Sequence, residues 1–431
     1  MLYFCSIMLK MKNLLLRILP LMLFYPLHAQ IDSLSMDLDF TSRLEADNGY
    51  STLIPEGKKM KADVQSRARI GLNLFMDKLE IRVAAQDART WGSTSSGNQS
   101  ESVSFYEAWA KYNFSKRFYV KAGRQAISFD NGRIIWESSW GMKGKTFDAL
   151  RFGYQFNNGS ALDLVGFYNS ESTRRTDSID YEFYGIFDGE ERTKSVQLLH
   201  FESSQDNNFT YSAILMNNVV QKENGSHNSL TTAGLGLKHK FSSVFNISLN
   251  AYYQFGKNTA NQKKNAYDLD LRLKYSPIPM WDITLGGEWL SGTSYDESAD
   301  KNNSFSPLYG TSHSFNGYMD YFYSSNHLNG PGLIDLNLKN NFNFNRLGEL
   351  LLAVHYFSAE QKFHPEYGKY LGTELDLVYG KKFGNNFLFN IGYSQIFYSD
   401  NLKVLKNVPN AKDLQNFIWV GLSFKPEFKL L

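Results

Sequence analysis

Apolar and charged residues alternate strictly along residues 267–275, where every odd position is apolar and every even position is charged. Successive side chains of a β-strand point to opposite faces, so this stretch predicts a strand with one apolar and one charged face. The neighbouring stretches 245–253 and 281–289 repeat the design, with amides, hydroxyls and acids among the residues of the polar face. The centre of the chain therefore predicts a series of amphipathic strands.

The same alternation predicts eighteen strands along the chain, with sixteen as the alternative. Most of them exceed the roughly 9–11 residues that a tilted strand needs to cross a membrane. A soluble sandwich would need only short strands, so the pattern favours an all-β fold, a transmembrane antiparallel β-barrel. The predicted strands span residues 32–47, 62–76, 78–92, 102–114, 116–129, 146–156, 159–171, 193–204, 207–221, 229–242, 244–257, 265–276, 280–293, 332–345, 348–362, 368–383, 385–400 and 414–428.

The connections between these strands alternate in length. Tight turns lead from each even strand to the next, for example at Asp77, Ser115 and Gly384. Most connections from an odd strand are longer, and they comprise residues 48–61, 93–101, 130–145, 172–192, 258–264, 294–331 and 401–413. This segregation is typical of bacterial outer-membrane barrels, which have periplasmic turns and external loops. Closing the last strand onto the first would leave no exposed edge, so one barrel domain is predicted.

The first 29 residues predict a cleaved secretory signal peptide. A basic patch precedes an apolar run from Ile18 to Leu27, and Ala29 ends a plausible cleavage site. The run is shorter than the about 20 residues of a membrane-spanning helix, which disfavours a retained anchor. Residues 30–431 are predicted to form the outer-membrane barrel.

Charge and cysteine content narrow the chemistry. Removal of residues 1–29 would take away three of the 45 basic residues and none of the 43 acidic ones, so the mature chain is near neutral and no nucleic-acid partner is predicted. The only cysteine, Cys5, precedes the predicted cleavage site, which excludes disulfides and cysteine-bound metals in the mature chain. Aromatic residues make up 15% of the chain, as the aromatic girdles of a barrel require. No cofactor or metal is predicted.

Enzyme motifs do not fit this chain. Gly144-Lys145-Thr146 has Ser139 where a phosphate-binding loop needs its first glycine, and a strand is predicted to follow instead of a helix. Asp87, Glu107 and Asp148 could pair like glycosidase carboxylates, but nearby arginines favour ion pairs. We therefore predict that the protein is not an enzyme.

Charged residues on the polar face would line the interior of a closed barrel. Opposed charges across a lumen orient polar solutes and replace part of their hydration, which predicts a conduit. Any single pair could instead lock two neighbouring strands together. The residues predicted to point inward include Arg67, Arg69, Glu80, Arg82, Glu107, Lys111, Lys121, Arg151, Asp163, Asp268, Asp270, Arg272, Lys274, Glu288, Asp335, Lys339, Glu374 and Asp376.

Residues 67–148 resemble the alginate-export family of outer-membrane barrels, and residues 317–335 give a second, shorter match. The first block is the more specific, because several motifs recur in order at suitable spacing. The matching motifs are Arg69-Ile70-Gly71, Gln86-Asp87-Ala88-Arg89-Thr90-Trp91-Gly92, Tyr106-Glu107-Ala108, Gly123-Arg124-Gln125, Asp130-Asn131-Gly132-Arg133, Trp140, Thr146-Phe147-Asp148, Gly317-Tyr318-Met319-Asp320-Tyr321-Phe322 and Gly332-Leu333-Ile334-Asp335.

The resemblance implies an eighteen-stranded monomeric barrel that passes an anionic uronate polysaccharide through an arginine-rich constriction, with long loops gating the mouth. Arginine suits repeated carboxylates because its guanidinium binds them bidentately. The implied selectivity ladder consists of Arg69, Arg82, Arg89, Arg124, Arg133 and Arg151, braced by Asp87, Glu107 and Asp148. The near-neutral charge and the acids of the second half differ from a lumen dedicated to alginate. Arg272, Lys274 and Asp335 are predicted to line the pore beside this ladder.

The leading hypothesis is therefore a passive outer-membrane channel for hydrophilic, anionic poly- or oligosaccharides. A general or differently selective porin for small nutrients is the second hypothesis, and a surface glycan receptor or adhesin that uses loop 294–331 is the third. The predicted partners are outer-membrane lipid, the barrel-assembly machinery, and a sugar or uronate oligomer or polymer. The alternation falters at Gln86–Arg89, where a β-bulge is expected to shift the inward phase.

Overall fold

The computed structural model describes residues 31–93, 103–169, 192–205, 208–222, 226–311, 313–322, 327 and 329–431. The predicted signal peptide lies outside these residues. Eighteen long strands form one sheet, and each begins and ends within four residues of its predicted bounds. The prediction of an eighteen-stranded all-β barrel is confirmed.

The strands follow one another around the sheet. Two further strands are only two and three residues long: β14 pairs in parallel with β12, and β20 continues the pairing of the chain end with β1. The bounds are β1 (Ser33–Asn48), β2 (Lys61–Met76), β3 (Leu79–Thr90), β4 (Ser104–Asn113), β5 (Phe118–Gln125), β6 (Phe147–Gln155), β7 (Ala161–Tyr168), β8 (Arg192–Glu202), β9 (Phe209–Gln221), β10 (His227–Lys240), β11 (Phe245–Lys257), β12 (Lys263–Ile278), β13 (Trp281–Leu290), β14 (Lys301–Asn302), β15 (Leu333–Asn343), β16 (Glu349–Ser358), β17 (Tyr370–Phe383), β18 (Phe387–Tyr398), β19 (Gln415–Phe424) and β20 (Glu427–Lys429).

The sheet closes on itself because β1 pairs with both β2 and β19. The seam is antiparallel and runs from Phe40 opposite Phe424 to Asn48 opposite Asn416. Closure satisfies the backbone donors and acceptors that a strand edge would leave exposed. A short helix, α1 (Asp400–Leu405), precedes β19. Among the described residues, no helix is both long and apolar enough to cross a membrane.

The alternation sorts side chains between the two faces of the barrel. On β12, Leu269 and Leu271 are each 41% exposed on the outer face, whereas Asp268 and Asp270 are 0% and 2% exposed. Both acids contact polar groups inside the barrel. The outer surface is therefore apolar along this strand, and the charged face points inward as predicted.

Two connections on the loop side fold into the barrel. We call them the first inward segment, residues 126–146, and the second inward segment, residues 303–322. They meet in a parallel bridge between Ile135 and Tyr309. Their apolar side chains pack against inward residues of β6–β10 in one continuous hydrophobic cluster.

That packing makes part of the inner face apolar, which the sequence analysis did not predict. The inward residues Val165, Val196, Leu198, Ile214 and Met216 of β7–β9 are at most 4% exposed. Apolar side chains are stable at these positions because the inward segments cover them and remove them from water. The inner face of β7–β9 is therefore partly apolar, with polar residues such as Asp163 and His200 between the apolar ones.

The predicted bulge lies slightly elsewhere. The pairing of β2 with β3 is regular from Gln65 opposite Thr90 onward, but the pairing of β3 with β4 shifts between Ala84 and Ala85. The extra residue is Tyr106 on β4, and as a result Tyr106 and Glu107 both lie on the inner face. The bulge turns one aromatic ring into the lumen.

Candidate pore and its constriction

One side of the lumen carries arginines and lysines, and we call the inward bases of β2–β6 the arginine wall. It comprises Arg67, Arg69, Arg82, Lys111, Lys121 and Arg151. Most of these bases meet an acid of another strand. Arg82 contacts Asp37 at 2.6 Å and Glu107 at 2.6 Å, while Arg151 contacts Asp163 at 2.7 Å. Such pairs stabilise strand-to-strand register and leave little net charge.

Arg69 and Lys121 differ from the rest of this wall. Arg69 donates to the neutral Gln86 Oε1 at 2.9 Å, and its guanidinium carbon lies 3.3 Å from the centroid of the Tyr106 ring. The Lys121 ammonium lies 3.7 Å from the Trp109 centroid. Within the described residues, neither cation forms an ion pair with a carboxylate. Both are half-buried, so a solute carboxylate in the lumen can meet them.

The first inward segment lies along this wall and is held by its backbone. Arg43 donates to the Trp140 carbonyl at 2.9 Å and stacks on the Trp140 ring at 3.7 Å. Arg67 donates to the Met142 carbonyl at 3.3 Å, and Gln86 donates to the Lys143 carbonyl at 2.9 Å. Part of the arginine wall therefore binds the protein's own loop.

The opposite side of the lumen is acidic. We call it the acidic wall, and it comprises Asp268, Asp270, Glu288, Asp335, Glu374 and Asp376, none of them more than 4% exposed. Glu374 accepts from the Met319 backbone N–H at 2.8 Å, and Asp335 lies 2.9 Å from His355 Nδ1. Gly317 permits the first contact, because it adopts a φ of 81° and a Cβ there would collide with Glu374.

Arg133 joins the first inward segment to this wall. Its guanidinium lies 2.6 Å from Glu288 and 3.3 Å from Asp268, and it donates to Asn316 at 2.9 Å. Burial disfavours its charge, but the carboxylates of Glu288, Asp268 and Asp270 outweigh burial and raise the pKa of Arg133. Arg133 therefore holds the first inward segment against the acidic wall, and we call it a structural clamp. It does not stand free in the lumen, as a residue of the predicted selectivity ladder would.

The two inward segments together form a layer across the barrel. The first contacts β1–β3 through its backbone and the acidic wall through Arg133. The second contacts β8 and β9 through Tyr309 and the loop after β1 through Tyr321, whose hydroxyl donates to the Gly49 carbonyl at 2.6 Å. We call this layer, which lies across the lumen, the constriction.

Four residues predicted to line the pore lie on the outer face, which corrects their placement. Arg89 and Asp87 pair with Ser66 and Ala68, and those two positions alternate with the inward Arg67 and Arg69. Their own ion pair measures 2.7 Å. The expected bulge would have reversed this phase, but it lies on β4.

Arg124 and Asp148 are displaced in the same way. Asp148 falls between the inward residues Phe147 and Ala149, and it lies opposite Arg124 in the register. The two form an outer-face ion pair of 2.9 Å. Glycosidase-like pairing of Glu107 with Asp87 or Asp148 is also excluded, because Glu107 lies on the other face of the wall.

The other predicted site residues point inward. Arg272 contacts Asp270 at 3.0 Å, and Lys274 contacts Asp282 at 2.8 Å. Sequence reasoning missed Tyr106, which the bulge turns inward, and Asn316, which lies in a loop without a period. His355 could have been predicted to point inward, because it alternates with Leu352 and Val354 of the outer face. Among the described residues, no His, Cys, Asp or Glu cluster is placed to hold a metal ion.

A closed barrel with an apolar outer surface, a charged interior and loops folded across the lumen defines the class of outer-membrane channels. The sequence matches the family model described as alginate export over residues 32–406, so the chain belongs to the alginate export family. None of the curated proteins compared matches this sequence. The chain lies in the outer membrane and is a channel, not an enzyme.

Solved outer-membrane proteins share the fold at low sequence identity. The outer membrane protein OpdK from Pseudomonas aeruginosa has a TM-score of 0.64 at 10% identity, covering 92% of this chain and 100% of that chain. OccAB1 from Acinetobacter baumannii has a TM-score of 0.63 at 10% identity, covering 94% and 100%. OprD from Pseudomonas aeruginosa has a TM-score of 0.61 at 12% identity, covering 93% and 96%.

Proposed function

We propose that this channel passes anionic oligosaccharides by passive diffusion along the arginine wall. The observation that carries the proposal is Arg69, a lumen guanidinium that is stacked on Tyr106 and hydrogen-bonded to a neutral amide. The ring fixes the guanidinium plane, while its charge is not matched by a carboxylate among its described contacts. A passing carboxylate gains a charge-assisted hydrogen bond there.

The acidic wall makes that contact brief. The buried carboxylates of that wall offer no positive charge that would hold a solute anion once it leaves Arg69. Conduction requires binding strong enough to enter and weak enough to leave. The mixed lumen supports short uronate oligomers, whose few charges one free guanidinium can guide, more than a long polyanion.

The test is single-channel current in a planar bilayer with uronate oligomers and neutral oligomers of equal length. We expect block by uronates at lower concentration, weakened roughly tenfold by Arg69→Ala, because one charge-assisted hydrogen bond contributes about 1.5 kcal/mol. Arg124→Ala is the matched control, since Arg124 lies on the outer face and should leave block unchanged. Absence of current from a folded barrel would refute passive diffusion.

A general porin for small nutrients is the second candidate, and the layer of inward segments favours it. The segments contact several sides of the wall, which narrows the passage and suits small solutes. Equal block of the wild-type channel by uronate and neutral oligomers, unaffected by Arg69→Ala, would support this candidate instead.

The packing of the second inward segment argues against an adhesin built from its aromatic residues. Phe315, Tyr321 and Phe322 are at most 5% exposed, so they are not displayed to a ligand outside the cell. Deletion of residues 307–322 should therefore raise conductance and leave binding of surface glycans unchanged.

A further inference from the structure

A cavity of about 230 Å³ lies outside the lumen, at the loop end of the barrel. Its floor is formed by Asn265 and Tyr267, which belong to the outer face of β12. Residues of the connection after β13 and of the connection after β16 form its sides. We call it the outer pocket, and its lining comprises Asn265, Tyr267, Ser291, Gly292, Ser294, Glu297, Asn303, Glu360 and Gln361.

Internal hydrogen bonds hold the outer pocket in shape. Ser291 Oγ donates to the Asn303 carbonyl at 2.7 Å, and the Gly292 N–H donates to Glu360 Oε2 at 2.9 Å. Asn303 donates to Glu297 at 3.0 Å. A preformed pocket binds a small ligand without an ordering cost.

The lining combines an aromatic ring with amides, hydroxyls and carboxylates. The Tyr267 ring packs edge-on against Trp289, with 5.8 Å between ring centroids, and its face carries the negative charge of the π system. The polarised C–H bonds of a sugar ring pack on such a face. Asn265 accepts from Tyr253, while Asn303 and Gln361 donate to Glu297 and Glu360. The Asn265 amide nitrogen can therefore donate to a sugar hydroxyl, and the amide oxygens of Asn303 and Gln361 can accept from one.

Charge decides which sugars fit. The lining has two carboxylates, Glu297 and Glu360, and no lysine or arginine. Glu297 pairs with Lys301 at 3.5 Å just outside the lining, whereas no ion pair of Glu360 is found among the described residues, so Glu360 carries the negative charge of the pocket. A uronate or a phosphate would meet like charge at short range, whereas a hydroxyl or an ammonium group can donate to the carboxylates. At about 30 Å³ per water, the volume corresponds to about eight waters, which leaves space for one ring and not for a chain.

We propose that the outer pocket binds a single pyranose ring of a neutral or amino sugar. The ring can belong to a soluble glycan or to the headgroup of an outer-leaflet glycolipid, because Tyr267 of the pocket floor packs against Trp289, which is 44% exposed on the outer face. This site is independent of the proposed transport function, since none of its lining residues is among those that line the arginine wall.

The test is saturation-transfer NMR on the full chain in phospholipid nanodiscs, with methyl glucoside, methyl glucosaminide and methyl glucuronide as probes. We expect transfer to the first two sugars and at least tenfold weaker binding of the glucuronide. Ser294→Phe, which fills the cavity from its edge, should abolish transfer. Ser298→Phe is the matched control on the same loop outside the lining, and it should bind like the wild type.

The same nanodiscs distinguish a soluble glycan from a glycolipid headgroup as the source of the sugar ring. Competition by an embedded glycolipid identifies the membrane as the source, and binding unaffected by glycolipid identifies a soluble glycan. Glucuronide binding as tight as that of the neutral sugar would overturn the proposal, as would equal binding by the two phenylalanine variants. Channel current should be unchanged in Ser294→Phe, so failure of this proposal does not bear on transport.

Discussion

The two charged walls of the lumen differ in what covers them. On the arginine wall, Arg69, Arg82 and Lys121 remain partly open to the lumen. On the acidic wall, the carboxylates are buried beneath Arg133, Asn316 and Met319 of the inward segments. Charge on the first wall can meet a solute, whereas charge on the second holds the constriction together. An inward-pointing charge is therefore not by itself a binding residue.

The largest effect is expected from removing Arg133, which joins the first inward segment to the acidic wall. Arg133→Met leaves Glu288 and Asp268 buried without their cation, and loss of one partner of a buried pair typically costs about 3–5 kcal/mol. We expect the inward segments to detach, which should raise the mean single-channel conductance and increase current noise. The barrel itself should persist, as measured by its heat-modified gel mobility.

Arg272→Met is the matched control for this clamp. Arg272 belongs to β12 on the same side of the lumen, but its side chain is 30% exposed and its pair with Asp270 is open to water. It should change conductance far less than Arg133→Met. Equal effects of the two variants would mean that burial does not separate a clamp from a lumen charge.

A smaller effect is expected from two buried lysines that donate to backbone carbonyls of the second inward segment. Lys145 donates to the Gly310 carbonyl at 2.7 Å, and Lys406 donates to the Tyr321 carbonyl at 2.6 Å. Burial lowers the pKa of Lys145 to about 8 and that of Lys406 to about 7, from a usual value near 10.5.

The lowered pKa values of the two lysines determine how docking of the second inward segment depends on pH. Between about pH 7 and 10.5, the detached segment binds more protons than the docked one, so docking strengthens as the pH rises, by at most about tenfold per pH unit for each lysine. Current noise should accordingly fall from pH 7 to pH 10. Lys406→Met should flatten this dependence, whereas Lys403→Met should not, because Lys403 of α1 bonds Asp400, which raises the pKa of Lys403 instead of lowering it. Noise that rises with pH would contradict the assignment.

The strands of this barrel could be predicted closely, and the contents of its lumen could not. Alternation and tight turns are local features of the sequence. The alternation around Asp268 and Leu269 is therefore enough to predict β12. The inward segments have no period, and their contacts join positions far apart in the chain, such as Arg133 with Glu288. The alternation of β5 puts Arg124 on the outer face together with Val120 and Ala122. Arg124 was nevertheless predicted to line the pore, because it belongs to a motif of the family resemblance.

The smallest effect is expected from the ion pair of Arg124 and Asp148, which lies on the outer face and therefore serves as a reference for the charges of the lumen. Arg124 and Asp148 are 32% and 50% exposed, and exposed ion pairs contribute about 0.2–1 kcal/mol. In a double-mutant cycle with Arg124→Ala and Asp148→Ala, the coupling in unfolding free energy in lipid vesicles should fall within that range. Uronate block should be the same in all four proteins, because neither side chain reaches the lumen. A change in block would place Arg124 inside after all, and the outer face assigned to β5 would then be wrong.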